Sequence, residues 1–201
     1  MKPLKPNYRS AHWQPARRVQ RCKIPAGLAG WLLDTASLTL RLQRLCPGKF
    51  RVRVLSQQWG VPAIDEAQLL GMRPGSLAII RQVQLLCGKK PLVYARSVIP
   101  ATSMRGRLRR LSHLGTRPLG GMLFSDPGMR RGKVELACIK KHQSLHRSAT
   151  RKLKKRPKKV WGRRAVFRIS GRPLLVSEVF LPDFPAAEGP QPVWLDVLIN
   201  V

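Results

Sequence analysis

The sequence predicts an α+β domain with a single antiparallel β-sheet flanked by helices. Three observations point there. Runs rich in β-branched and aromatic residues come in adjacent pairs joined by tight turns. Helical segments group before and between those pairs instead of alternating with single strands, which argues against βαβ units. The chain has 201 residues, 43% of them hydrophobic, enough for one domain with one sizeable core.

Taken in order, residues 1–21 form a basic, proline-bearing arm without the apolar stretch that export requires, and are expected to be disordered. Leu28, Trp31 and Leu32, then Leu38, Leu42 and Leu45, recur at helical spacing, with Asp34, Thr35 or Ser37 available to cap the second helix. In KFRVRVLSQQWG, Phe50, Val52 and Val54 alternate with Arg51 and Arg53, the period of a strand with one wet face. A short capped helix is expected at IDEAQLLGM. The stretch SLAIIRQVQLLCGKKPLVYARSVIP reads as a hairpin around CGKK, and 103–124 as helix in two pieces broken at GTRP. GKVELACI is a further strand, and AVFRIS with PLLVSEVF makes a last hairpin around Gly171 and Arg172. Residues 140–159 hold ten Lys or Arg and no acid, a block expected to form a long loop insertion between strands. A proline-rich and then apolar tail, 183–201, is suited to docking on the domain or a partner. The core therefore runs from about 22 to 182.

Lys and Arg number 39 against 9 Asp and Glu, a formal charge of +30. Such a surface favours anionic partners: nucleic acid, acidic lipid or a small polyanionic substrate. Cys22, Cys46, Cys87 and Cys138 stand far apart with no CxxC pair, which fits reduced thiols in a cytoplasmic protein. No run of about 18 apolar residues suggests a membrane span.

The chemistry-bearing signal lies in two strands. In the last one Leu174, Val176, Glu178 and Phe180 share a face, so one carboxylate interrupts an apolar side. In the first hairpin Ile79, Arg81, Val83 and Leu85 share a face that a guanidinium interrupts. The bland reading is a buried Arg81–Glu178 ion pair. Such pairs are at best neutral for stability, because desolvation offsets the Coulomb gain, so a ligand site competes with it on equal terms. The other carboxylates compete weakly. Asp34, Asp65 and Glu66 read as helix-start residues, Asp126 sits in a DPG turn, and Asp183, Glu188 and Asp196 lie in the tail. The face taken by Glu135 stays open.

Four segments, WGRRAVFRISGRPLLVSEVFLP, GTRPLGGMLF, IIRQVQLL and YARSVIP, together resemble the chorismate pyruvate-lyase family of ubiquinone biosynthesis, over roughly residues 22–182. The basic tract 140–159, the arm and the tail depart from that pattern. The resemblance implies an enclosed ligand pocket in which Arg81 and Glu178 contact the ligand, joined by Leu38 of ASLT and Leu119 of PLG. Leu38 departs from a methionine found in relatives, which matters little if the contact is made by backbone. It further implies a lyase that eliminates pyruvate from chorismate to give 4-hydroxybenzoate, with no redox cofactor and no metal. Arg81 would clamp a carboxylate through its fork, and Glu178 would move a proton or hold the ring hydroxyl.

Weaker signals stay secondary. His142 and His146 have HxxxH spacing but no acid or cysteine nearby to complete a metal site. His113 lies off the Leu108, Leu111 and Leu114 stripe, and Gly120 and Gly121 suit a tight helix end more than a phosphate loop. The tract 140–159 is suited to weak anionic surface contacts, yet no aromatic interleaves it to stack bases. The competing functions are a non-catalytic ligand-binding domain of the same fold and a basic nucleic-acid or membrane-surface protein. A monomer is expected.

Overall fold

The computed structural model describes residues 9–185. Along them run β1 (Gln14–Pro15), α1 (Ala26–Leu32), α2 (Leu38–Leu45), β2 (Phe50–Gly60), α3 (Ile64–Leu69), β3 (Ala78–Cys87), β4 (Lys90–Pro100), a 3-10 helix (Gly106–His113), α4 (Leu119–Phe124), β5 (Arg130–Arg131), β6 (Glu135–Lys140), α5 (Ser144–Thr150), β7 (Lys159–Ile169) and β8 (Arg172–Phe180). The strands form one antiparallel sheet in the order β1-β6-β7-β8-β4-β3-β2, with β5 added against β7. The predicted fold class is the observed one.

Both hairpins form as their turn residues demand. Cys87 pairs with Lys90 across Gly88, whose φ is 59°. Ile169 pairs with Arg172 across Ser170 and Gly171, at φ 50° and 76°, so Arg172 opens the strand instead of sitting in the turn. Two consecutive left-handed residues match the twist of the strands they join.

The sheet is covered on both faces. On one side Val83, Leu85, Val93 and Phe180 pack with Trp31, Leu38 and Leu42 of α1 and α2, while Ala165, Phe167 and Leu174 pack with Leu111 of the 3-10 helix and Leu123 of α4. On the other side Tyr94, Val160 and Val179 meet Ala149 of α5 and the partly buried Ala11 and Trp13. Charged clamps fasten this second face. Arg96 donates through Nε and Nη2 to Glu66 at 2.7 and 2.8 Å. Arg164 donates to Glu135 and to Asp65, both at 2.7 Å, and lies 4.7 Å from the Trp13 ring. The helix-start carboxylates Asp65 and Glu66 thus also hold α3 to the sheet. Glu135 faces away from the helices of the first side.

Four expectations need correction. The tract 140–159 is not a loop throughout: α5 occupies Ser144–Thr150 with His146, Ala149 and Thr150 buried. The His146 ring lies 3.0 Å from the Pro157 carbonyl and Thr150 Oγ1 donates to the His146 carbonyl at 2.9 Å. The described part of the arm, residues 9–21, docks on the domain. Gln14 and Pro15 pair with Leu136 and Glu135, and Gln143 donates to the Ser10 carbonyl at 3.0 Å. Not all four cysteines are the reduced thiols that their spacing suggests: Cys46 and Cys87 form a disulfide, their Cα atoms 5.6 Å apart, while Cys22 and Cys138 are free. Finally, a register shift between Val54 and Ser56 breaks the alternation of β2, leaving Val54 37% exposed while Phe50 and Val52 stay against the core. At the other end of the chain Phe184 packs edge-on against Trp31 and Phe180, at 4.9 and 4.8 Å between ring centres. The rest of the tail, including Glu188 and Asp196, lies outside the described residues.

Candidate functional site

A cavity lies between the first face of the sheet and the helices above it. Its lining includes Arg81, Val83, Ala95 and Glu178 from the sheet, Ser37 to Thr39 from the start of α2, and Pro118 to Gly120 from the start of α4. All four residues singled out from the sequence, Leu38, Arg81, Leu119 and Glu178, line it.

Arg81 and Glu178 do not pair. Glu178 stands opposite Ala95, and Ala95 opposite Val83, so Glu178 is two strands from β3 and two residues out of line with Arg81. At strand spacings of about 4.8 Å and a rise of about 3.4 Å per residue, their Cα atoms lie about 12 Å apart. The two charges reach the one cavity from separate points on the sheet.

Each has its own support. Arg81 is 3% exposed and is braced by Gln57, which accepts from Nη1 at 2.7 Å, and by the Gly115 and Arg117 carbonyls, which accept from Nη2 at 2.8 and 3.3 Å. Burial pulls its pKa below the ordinary guanidinium value. Glu178 accepts from Arg163 Nε at 2.6 Å, and Arg163 in turn donates through Nη1 to the Trp31 and Asp34 carbonyls at 2.6 and 2.7 Å. Arg163 is 2% exposed and lines the same cavity. Burial alone would raise the Asp34 carboxyl, but the Ala36 amide and Arg41 outweigh it and hold that pKa below the usual value. This fixes the α1–α2 connection whose carbonyls hold Arg163.

Leu38 and Leu119 share a position: each is the first residue of a helix. Ser37 caps α2, accepting from the Leu40 amide at 3.4 Å, and Pro118 precedes α4. First-turn amides have no intrahelical acceptor, so both helices bring donors and the positive ends of their dipoles to the cavity wall. Gly120 lets the two helix starts meet, since a Cβ there would lie 2.5 Å from Thr39 Oγ1.

Arg163 is not among the site residues expected above, yet it carries the same signal: Trp161, Arg163, Ala165 and Phe167 share a face, and a guanidinium interrupts it. Arg131, also in the lining, had no such signal because β5 is two residues long. His146 is buried in α5 and His113 is exposed on the 3-10 helix, so neither enters the cavity. Among the described residues no group of three His, Cys, Asp or Glu has metal-binding geometry.

Comparison with known proteins follows the same lines. A family model described as chorismate lyase matches residues 7–187. A protein of Aromatoleum aromaticum named "Probable chorismate pyruvate-lyase" is 44% identical over 168 residues, 83% of this chain and 90% of its own. One of Methylococcus capsulatus with the same name is 44% identical over 156 residues, 77% of this chain and 94% of its own. Among solved structures, a gene product of Staphylococcus aureus overlays with a TM-score of 0.52 at 13% identity, covering 74% of this chain and 89% of that one. A GntR-family transcriptional regulator of Bacillus cereus overlays at 0.50 and 11%, covering 68% and 94%. Identities this low establish a shared fold only.

Proposed function

The chain belongs to the chorismate lyase family, and from that premise we propose that it eliminates pyruvate from chorismate to give 4-hydroxybenzoate, the aromatic acid that enters ubiquinone synthesis. The observation that carries this reading is that Arg81 and Glu178 line one cavity without pairing, with two helix N-termini opening onto it. A ring acid with a carboxylate at one end and a hydroxyl at the other fits between such groups; a direct ion pair would have left no room for it.

In the reaction the ether C–O bond to the ring breaks and the ring carbon bearing the hydroxyl loses its proton. The ring becomes aromatic, and the three-carbon fragment leaves as enolpyruvate, which takes up a proton and ketonises to pyruvate. Aromatisation supplies the driving force. The guanidinium of Arg81 binds the ring carboxylate by a bidentate fork that lysine does not reproduce. Glu178, oriented by Arg163, faces the hydroxyl-bearing end, where it holds the hydroxyl and lies within reach of the proton that is lost. Amides at the starts of α2 and α4, at Leu38 and Leu119, supply further donors to the ligand oxygens. Low polarity around these groups strengthens each contact.

The test is to incubate the purified protein with chorismate and quantify pyruvate and 4-hydroxybenzoate, which should appear in equal amounts. Folded protein that forms neither overturns the reading. Glu178→Gln and Arg81→Ala should each lower kcat/KM roughly 100-fold or more, the scale of losing a charged contact made at the reacting centre.

A further inference from the structure

Three guanidiniums line the cavity, those of Arg81, Arg131 and Arg163, against the single carboxylate of Glu178. Arg163 is committed to Glu178 and two carbonyls, and Arg81 is braced by Gln57 and two carbonyls. Arg131 differs. Its Nη1 donates to the Thr35 and Asp34 carbonyls at 2.6 and 3.3 Å, but its buried Nε has no partner among the described residues. Buried guanidinium donors left unpaired are costly and uncommon, so an orphan in a cavity wall calls for an acceptor.

Its position says which acceptor. Arg131 and Arg163 both donate to the Asp34 carbonyl, which puts the Arg131 guanidinium on the Glu178 side of the cavity. Its carbon lies 5.5 Å from the centre of the Phe167 ring, a residue whose backbone pairs with that of Arg131. Burial and the neighbouring Arg163 lower the Arg131 pKa while Glu178 and Asp34 oppose them, so the local field favours an added anion.

We propose that Arg131 binds the second carboxylate of the substrate, the one on the departing three-carbon group, which the aromatic product lacks. This rests on the chorismate reading above. Chorismate carries one carboxylate on the ring and another on an ether next to the hydroxyl-bearing carbon. With the first on Arg81 and the hydroxyl at Glu178, the second falls on the Arg131 side. The charges then balance, three arginines against Glu178 and a dianion. Once pyruvate has left, the product offers Arg131 nothing, so this residue distinguishes substrate from product where Arg81 and Glu178 serve both.

The experiment compares Arg131→Gln with wild type on two readouts: steady-state turnover of chorismate, and the affinity for 4-hydroxybenzoate measured by calorimetry. The chorismate KM should rise roughly 10-fold or more, the size of one lost charge-assisted contact, while the product Kd moves by no more than about twofold. Arg131→Lys should recover part of the KM. An unchanged KM, or a product affinity that falls in parallel, overturns the assignment while leaving wild-type activity as evidence for the reaction. Wild type that neither turns over chorismate nor binds 4-hydroxybenzoate removes the functional reading and this assignment with it.

Discussion

Arg163 is the residue on which the proposed chemistry leans most without touching the ligand. Its guanidinium joins Glu178 to the carbonyls of Trp31 and Asp34, so a single side chain ties the β8 carboxylate to the α1–α2 connection. Removing one partner of a buried pair strands the other, a loss of about 3–5 kcal/mol. Arg163→Leu should therefore lower the stability seen in urea unfolding by that order and abolish turnover. Arg163→Lys keeps the charge but cannot reach three acceptors with one planar fork, so it should recover little of either. If the lysine variant unfolds and turns over like wild type, Arg163 is not what orients Glu178. Gly120 makes the complementary point about space. Gly120→Ala must push α4 away from Thr39, so the affinity for 4-hydroxybenzoate should drop while the melting temperature changes little; an unaltered affinity would show that the helix starts need not meet.

At the scale of elements, what the sequence revealed depended on whether a local period survived folding. Alternation in β3 and β8 pointed to Arg81 and Glu178, and the same test extended back along β7 would have found Arg163. Arg131 was invisible to it because a two-residue strand has no period. The charge of 140–159 concealed α5, since solvated Lys and Arg flank the few residues, His146, Ala149 and Thr150, that the sheet buries. Burial of that helix has a pH signature. Desolvation lowers the His146 pKa, with the nearby Lys141 and Arg156 adding to it against the Pro157 contact. A folded-state pKa below the unfolded one means that the unfolded chain binds the extra proton first, so stability falls as pH drops through about 6.5 and below. The melting temperature should be lower at pH 5.5 than at pH 7.5, and His146→Gln should flatten part of that slope; a variant as pH-sensitive as wild type would count against it. The Cys46–Cys87 link was equally hidden, because a separation of 41 residues carries no motif. It fastens the end of α2 to the first hairpin, and closing a loop of that length stabilises by up to about 4 kcal/mol. Reductant, or Cys46→Ser, should lower the melting temperature without abolishing turnover.

The whole molecule is strongly basic. Phe50, Cys87 and Lys90 lie level at one end of the sheet, and Trp59, Ile79 and Ile99 at the other. The basic tract joins β7 at Lys159, and Trp161 pairs with Phe180, itself opposite Val93, so the tract sits at the first end. Exposed Trp59, Val61, Ile64 and Leu77 gather at the opposite end. Arg130, Arg168 and Arg172 lie at that same end, so basic groups are found at both ends of the sheet. Capture of an anionic substrate needs only the field, and a formal +30 supplies one. The field acts on encounter and not on the bound complex, so kcat/KM for chorismate should fall severalfold between about 10 mM and about 1 M salt, where the screening length shrinks from about 30 to about 3 Å, while kcat holds. Because α5 belongs to the fold, the tract is better neutralised than deleted. Changing the exposed Lys152, Lys154, Lys155 and Lys158 to Gln should reduce the salt slope and leave kcat and the melting temperature as they were. A slope identical to wild type would show that these charges do not help bring substrate in, and a fall in kcat would show that they act on the bound complex instead.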